Sequence, residues 1–127
     1  MSFDIFLQSF RDGEGGAGDG DAALALLEPF VVRRENGCAQ IATADGGADV
    51  YGLDDAATGL MINHVSGRAI YSLLYDIARC ARFVVMPVGC ATCVSDEAMK
   101  EHLPSALAND VVVIASGDAL QRIIESG

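Results

Sequence analysis

The chain carries little positive charge. Its 127 residues include 8 Lys and Arg against 18 Asp and Glu, so the formal net charge is −10, and Lys100 is the only lysine. This balance repels phosphate backbones and anionic lipid, which excludes nucleic acid and membrane surfaces as favourable partners. A basic protein is the partner that the charge would attract, although the same charge also serves ordinary solubility.

The chain also lacks a long hydrophobic run. The apolar stretch at 111–115 is far too short to span a bilayer. Residues 1–6 contain Asp4 and no basic side chain, which is not the pattern of a signal peptide. We therefore expect a cytoplasmic protein, in which the four cysteines are thiols or metal ligands rather than permanent disulfides.

The sequence does not predict a nucleotide-binding site. Gly13, Gly15 and Gly18 have the spacing of a dinucleotide fingerprint, but the acidic residues between and around them would repel a pyrophosphate. The Gly-Lys-Ser/Thr of a phosphate-binding P-loop does not occur. Residues 12–20 predict a flexible Gly/Asp-rich loop instead.

Patterning predicts one α+β domain that spans 1–127. Short alternating segments fill the first half, and Asn36-Gly37 is the turn signal of a β-hairpin. The second half alternates helical segments with continuous apolar runs, which are typical of buried strands. Its predicted elements are strands at 60–65, 83–86 and 110–115 and helices at 67–82, 96–103 and 118–125. We expect a mixed sheet with an N-terminal antiparallel meander and a C-terminal βαβαβα part, its last three strands locally parallel and its helices packed on the sheet.

The strongest chemical signal is Cys90-Ala-Thr-Cys93, directly after the apolar run at 83–86. A thiol pair in this position can cycle between dithiol and disulfide, or it can supply half of a tetrahedral zinc shell. The other half would come from residues elsewhere in the chain: His64, which we favour, or Cys38, Cys80 or His102. We expect Cys90 and Cys93 to lie in an exposed loop and Cys80 to pack on the apolar face of a helix.

Parallel strands would also bring the loops at their carboxyl ends together. In that arrangement His64, a thiol of the pair and Asp118 would have the residue types of a Cys–His–Asp nucleophile. The alternative is that Ser66, Ser116 and Asp118 are helix caps.

Four acidic residues surround the third predicted strand: Asp45, Asp49, Asp54 and Asp55. They lack the spacing of a calcium-binding loop. We predict a solvated face or a docking surface for a basic partner.

Residues 1–8 (Met-Ser-Phe-Asp-Ile-Phe-Leu-Gln), 59–63 and 94–98 resemble a group of small bacterial proteins of unknown function. This resemblance implies a bacterial origin and a compact α+β domain, and it assigns no catalytic residue. The size and charge are also similar to those of toxin-neutralising immunity proteins, by analogy alone.

The leading hypothesis is therefore a non-enzymatic interaction domain, immunity-protein-like, that engages a basic protein. The alternative is a thiol redox or zinc-binding protein that uses the Cys90/Cys93 pair. Zinc is the only cofactor that the sequence suggests, with Cys90, Cys93 and His64 as its ligands.

Overall fold

The first strand of the chain lies inside the sheet rather than at its edge. The computed structural model describes residues 3–126, and in it strand β1 (Ile5–Arg11) pairs on both sides. Its side chains alternate in burial because successive residues of a strand point to opposite faces. Ile5 and Leu7 are buried under the helices, whereas Phe6 is 43% exposed on the other side. We call these two sides the helix face and the outer face.

The described residues form a sheet of nine strands with three α-helices. The remaining strands are β2 (Glu14–Gly16), β3 (Val31–Glu35), β4 (Cys38–Ala42), β5 (Gly47–Tyr51), β6 (Leu60–Ser66), β7 (Val84–Pro87), β8 (Thr92–Val94) and β9 (Val111–Val113). The α-helices are α1 (Gly20–Leu27), α2 (Ala69–Ala81) and α3 (Gly117–Ser126), and 3-10 turns occur at Glu28–Phe30, Leu53–Asp55 and Glu97–His102. None of the helices formed by residues 3–126 has the length and apolar character needed to cross a bilayer.

The strand order is β3-β4-β5-β6-β1-β7-β8-β9, with β2 paired to the end of β1. Among the described strands, all pairs are antiparallel except β8 with β9. The predicted fold class, a mixed α+β sheet with an antiparallel N-terminal meander and packed helices, is confirmed.

The expectation that the last three predicted strands are parallel neighbours is wrong. β1 lies between β6 and β7, and β8, which was not predicted as a strand, lies between β7 and β9. Because β8 is antiparallel to β7 and parallel to β9, β9 points the opposite way from β7. The local pattern of an apolar run does not reveal that a strand from the start of the chain will insert beside it.

The apolar positions of helix α2 pack against the rest of the core. The apolar stripe of this helix is buried in the main core: Ile70, Leu73, Leu74, Ile77 and Ala81. Cys80 was predicted to share this stripe, but it lies at the margin of the stripe and is exposed. Successive residues of a helix are about 100° apart around its axis, so a position at the margin of an apolar stripe can face solvent.

The N-terminus of α2 is capped by a residue from another loop. Both oxygens of the Asp45 carboxylate accept backbone hydrogen bonds, Oδ2 from Arg68 at 2.8 Å and Oδ1 from Ala69 at 3.2 Å. These two bonds hold the pKa of Asp45 below its ordinary value. Ser66, the predicted cap, accepts instead from the backbone N–H of Gly47 in the sheet.

The outer face carries a smaller apolar cluster at one end. Val84, Val94, Met99 and Leu103 are buried there, beneath the 3-10 turn Glu97–His102. This turn replaces the α-helix predicted at 96–103. The segment is short, and short helical segments commonly wind with the tighter i→i+3 bonding.

Part of the predicted flexible loop at 12–20 is a hairpin. Asp12 and Gly13 have φ of 53° and 85°, the positive angles of a type I′ turn, and they connect β1 to β2. The tip is fastened to the 3-10 turn, because Gly13 N donates to His102 O at 2.9 Å. The predicted hairpin at Asn36-Gly37 is also present, with φ of 38° and 80°.

The first residue of α3 packs closely against α2. A Cβ added to Gly117 would lie 2.4 Å from the backbone N of Ser72 in α2. We therefore expect Gly117→Ala to lower the free energy of unfolding by about 1–3 kcal/mol, as overpacking does. Urea denaturation measures the change. Gly16→Ala is the matched control, since its Cβ would meet only ordinary contacts at 3.5 Å, and an equal loss in both variants would contradict the packing argument.

Candidate functional site

The thiol pair is only partly accessible. Cys90 is half-buried after β7, and its Sγ lies 3.8 Å from the backbone O of Ile124 in α3. Cys93 is in β8, is completely buried and points into the core of the helix face. The prediction that both thiols lie in an exposed loop is wrong for Cys93, because three residues after the turn form a strand.

Burial changes the chemistry of Cys93. Desolvation raises its pKa to about 11, with smaller contributions from the nearby Cys90 and Asp110. The thiolate is the form that attacks disulfides and binds zinc. At neutral pH Cys93 therefore remains a protonated core side chain, and Cys90 is the accessible member of the pair.

A β-bulge places His64 on the outer face. The register of β5 against β6 shifts between Gly47 and Asp49, and His64 takes the left-handed backbone conformation with φ of 52°. Such conformations are uncommon for residues other than glycine. The bulge directs the imidazole to Asp49, whose Oδ2 lies 2.8 Å from His64 Nδ1.

The three predicted zinc ligands therefore do not meet. Cys93 faces the helices, whereas His64 contacts Asp49 on the outer face of the sheet. Within residues 3–126 no three His, Cys, Asp or Glu side chains are grouped so that they could hold a metal ion.

The Cys–His–Asp arrangement does not form either. Asp118 makes two hydrogen bonds to the Arg68 guanidinium, at 3.1 and 2.8 Å. This pairing lowers the pKa of Asp118 and raises that of Arg68. Ser116 is a helix cap, as the alternative interpretation predicted, since its Oγ accepts from Ala119 N at 3.1 Å.

Sequence reasoning missed a polar group around Tyr51 on the outer face. Partial desolvation, together with the neighbouring Cys38 and Asp49, raises the pKa of Tyr51. Asn63 lies beside Asp49 in the register, and its Oδ1 is buried with no partner among the described residues. The alternation of side chains along β5 could have predicted part of this polar group, because Asp49 and Tyr51 must lie on the same face of the strand.

The structure separates the four acidic residues of the predicted docking surface. Asp45 caps α2 and Asp49 pairs with His64. Asp54 and Asp55 instead line a cleft with Asp19 and Asp21, which belong to the start of α1. The sequence did not predict Asp19 and Asp21 at this site, because they precede Asp54 and Asp55 by more than thirty residues.

We call this site the acidic cleft. Its volume is about 410 Å³, and its walls include Leu24 and Leu53 but, among the residues that the structure describes, no Lys, Arg or His. Its four carboxylates form no ion pair with any residue in the described range 3–126. Two of them make local bonds: Asp19 accepts from Ala22 N, and Asp55 accepts from Thr58 Oγ1. The cleft thus offers negative charge next to a small apolar surface.

In comparisons with known proteins, no family model, no curated protein and no solved structure matches the chain.

The burial of the thiols predicts an order of alkylation. At mildly alkaline pH, Cys80 should react first and Cys93 last, by at least about 100-fold, since Cys93 is buried and a pKa raised by about two units reduces its thiolate fraction by that factor. Mass spectrometry of peptides after timed iodoacetamide treatment measures the order. In urea the difference should disappear. Native labelling of Cys93 as fast as that of Cys80 would contradict the burial of β8.

The same thiol predicts a loss of stability in alkali. Between pH 9 and 11 the unfolded thiol ionises while the folded one keeps its proton, so the free energy of unfolding should fall as pH rises, by about 2–3 kcal/mol from this residue. Below pH 9 both states are protonated and no loss is expected. Urea denaturation across this range under reducing conditions measures the slope.

Two variants isolate this contribution. Cys93→Ala should flatten the alkaline slope, and Cys80→Ala, which removes an exposed thiol, should leave it unchanged. Tyr51 and Tyr71 also have raised pKa values and will steepen the slope equally in both variants. Identical slopes in the two variants would show that Cys93 ionises normally in the folded protein.

Proposed function

We propose that the protein is a non-enzymatic interaction domain that binds a basic segment of another protein in the acidic cleft. The observation that carries this proposal is that Asp19 and Asp21 lie with Asp54 and Asp55 on one concave surface, to which the described part of the chain contributes no basic residue. The net charge of −10 favours the same kind of partner over long distances.

The chemistry of the cleft suggests the form of the partner. Exposed ion pairs contribute only about 0.2–1 kcal/mol each, so several must form together. Leu24 and Leu53 can pack against the aliphatic stems of Lys or Arg while the charged ends reach the carboxylates. The favoured ligand is therefore a segment with several Lys or Arg residues alternating with apolar ones.

An immunity-type role, in which an acidic domain neutralises a basic toxin, is one form of this function, supported by size and charge alone. We further propose that the protein acts in the cytoplasm, where its free thiols persist. Thiol or zinc chemistry at Cys90 and Cys93 has less support, because burial keeps Cys93 protonated.

The cleft can be tested with a synthetic peptide of alternating arginine and leucine. Asp→Asn substitutions at 19, 21, 54 and 55 should weaken its binding about tenfold or more near physiological salt, since several charge contacts are lost together. Asn retains the capping capacity that Asp19 supplies to α1. Fluorescence anisotropy measures the affinity, which should also fall in the wild-type protein as salt is added.

A matched variant separates the cleft from net charge. The control carries Glu14→Gln, Glu101→Gln, Asp110→Asn and Glu125→Gln, all at exposed positions outside the cleft. Both variants remove four negative charges from the net −10, but the control should change affinity less than about threefold, because remote exposed charges are screened. An equal loss of affinity in the two variants, or an affinity that does not change with salt concentration, would contradict the proposal.

A further inference from the structure

A second concave site has the opposite charge. It lies where the end of β1 and the strand β2 meet the C-terminus of α2 and the 3-10 turn Glu97–His102. Its volume is about 150 Å³, and we call it the arginine pocket. Its lining consists of Ser9, Phe10, Arg11, Gly16, Ala17, Arg82, Val84, Met99 and His102.

The two arginines of this pocket are free to bind a ligand. Neither Arg11 nor Arg82 makes an ion pair with a residue in the range 3–126, and no carboxylate lines the pocket. Glu14 is opposite Arg11 in the hairpin register but does not reach its guanidinium. Five other basic residues do pair with carboxylates: Arg33, Arg34, Arg68, Arg79 and Lys100. In a chain so rich in acids, two unpaired guanidiniums in one cavity form an unusual group.

The backbone at Arg82 supports a role for its side chain. Arg82 is the C-cap of α2 and has φ of 61° and ψ of 43°, a left-handed conformation that glycine adopts with less strain. Ser9 Oγ donates to the carbonyl oxygen of Arg82 at 2.6 Å and so fixes this conformation from β1. Strained positions of this kind concentrate at binding sites, and the side chain placed here lines the pocket.

The hairpin tip holds His102 in the lining of the pocket. The backbone N–H of Asp12 donates to His102 Nδ1 at 3.2 Å. The carbonyl of His102 accepts from Gly13 N at 2.9 Å, so the hairpin tip holds the residue at two points. Asp12 Oδ1 lies 3.4 Å from the same Nδ1, on the side of the ring that faces the hairpin.

We propose that the arginine pocket binds a small oxyanion, a phosphate monoester or a carboxylate that carries an apolar group of about one ring. Guanidinium groups bind both head groups through paired N–H donors. Phe10, Val84 and Met99 provide the apolar part of the lining. A cavity of about 150 Å³ is large enough for one benzene-sized group, and it is too small for a nucleotide. This site is independent of the acidic cleft, whose ligand has the opposite charge.

Phenyl phosphate, benzoate, inorganic phosphate and phenol are suitable probes for the whole protein. Titrations followed by amide NMR shifts, near physiological salt, should show saturable binding of phenyl phosphate or benzoate, with the largest shifts at Gly16, Ala17 and Val84. Tighter binding of phenyl phosphate identifies a phosphate head group, and tighter binding of benzoate identifies a carboxylate. Inorganic phosphate and phenol should both bind more weakly, because each lacks one half of the ligand.

Two substitutions test the guanidiniums, with a third as control. Arg82→Gly and Arg11→Gln should each weaken binding about tenfold or more, as the loss of a charge-assisted hydrogen bond does. Glycine suits the left-handed C-cap, so the urea midpoint of Arg82→Gly should not fall, and lost binding cannot then be attributed to unfolding. Arg122→Gln removes an exposed guanidinium outside the pocket and should change affinity less than about twofold.

The proposal is overturned by any of three results. These are phenol binding as tightly as phenyl phosphate, an effect of Arg122→Gln equal to that of the pocket variants, or shifts that do not centre on the pocket.

Discussion

The fold depends on the pairing of β1 with β6 on one side and β7 on the other. Ile5 pairs with Ile62 and with Pro87, so a single residue near the start of the chain joins both halves of the sheet. The helices can cover one face only because this central strand completes it. The sites on the surface follow from the same arrangement: the end of β1 forms one wall of the arginine pocket, and the hairpin that follows leads directly into α1 and the acidic cleft.

The acidic residues serve different purposes according to their surroundings. Asp45 completes the hydrogen bonding of a helix end, Asp118 joins two helices through Arg68, and Asp49 orients His64. Each of these carboxylates has a partner that explains its charge. Within residues 3–126, the carboxylates of the acidic cleft have no cationic partner and the guanidiniums of the arginine pocket have no anionic one. A charged side chain without an intramolecular partner is available to bind a ligand. Both proposals therefore rest on unpaired groups rather than on total charge.

The sequence predicts what is local. The helical period of α2, the Asn36-Gly37 turn and the fold class all follow from residues that are close along the chain. It does not predict what depends on distant pairing, such as the place of β1, the short strand β8 or the bulge at His64. The thiols illustrate the limit: a Cys-x-x-Cys spacing is visible in the sequence, but the face to which Cys93 points is set by its pairing with Val85. Only half of the acidic cleft was predicted, for the same reason. Asp54 and Asp55 belong to an acidic stretch of the sequence, whereas Asp19 and Asp21 reach the cleft only through the fold.

The central position of β1 has a consequence for synthesis on the ribosome. This strand precedes its partners in the chain, and Ile5 cannot pair with Pro87 until the residues between them have been made. At typical translation rates this interval is on the order of 4–16 s. At first only residues 9–11 can form their final pairs, with β2. Residues 5–7 gain one neighbour when β6 has been made and the second only when β7 has been made. The apolar residues from Ile5 to Leu7 therefore lack at least one neighbouring strand throughout this interval, so a chaperone that holds extended apolar strands would act on the nascent chain at this point.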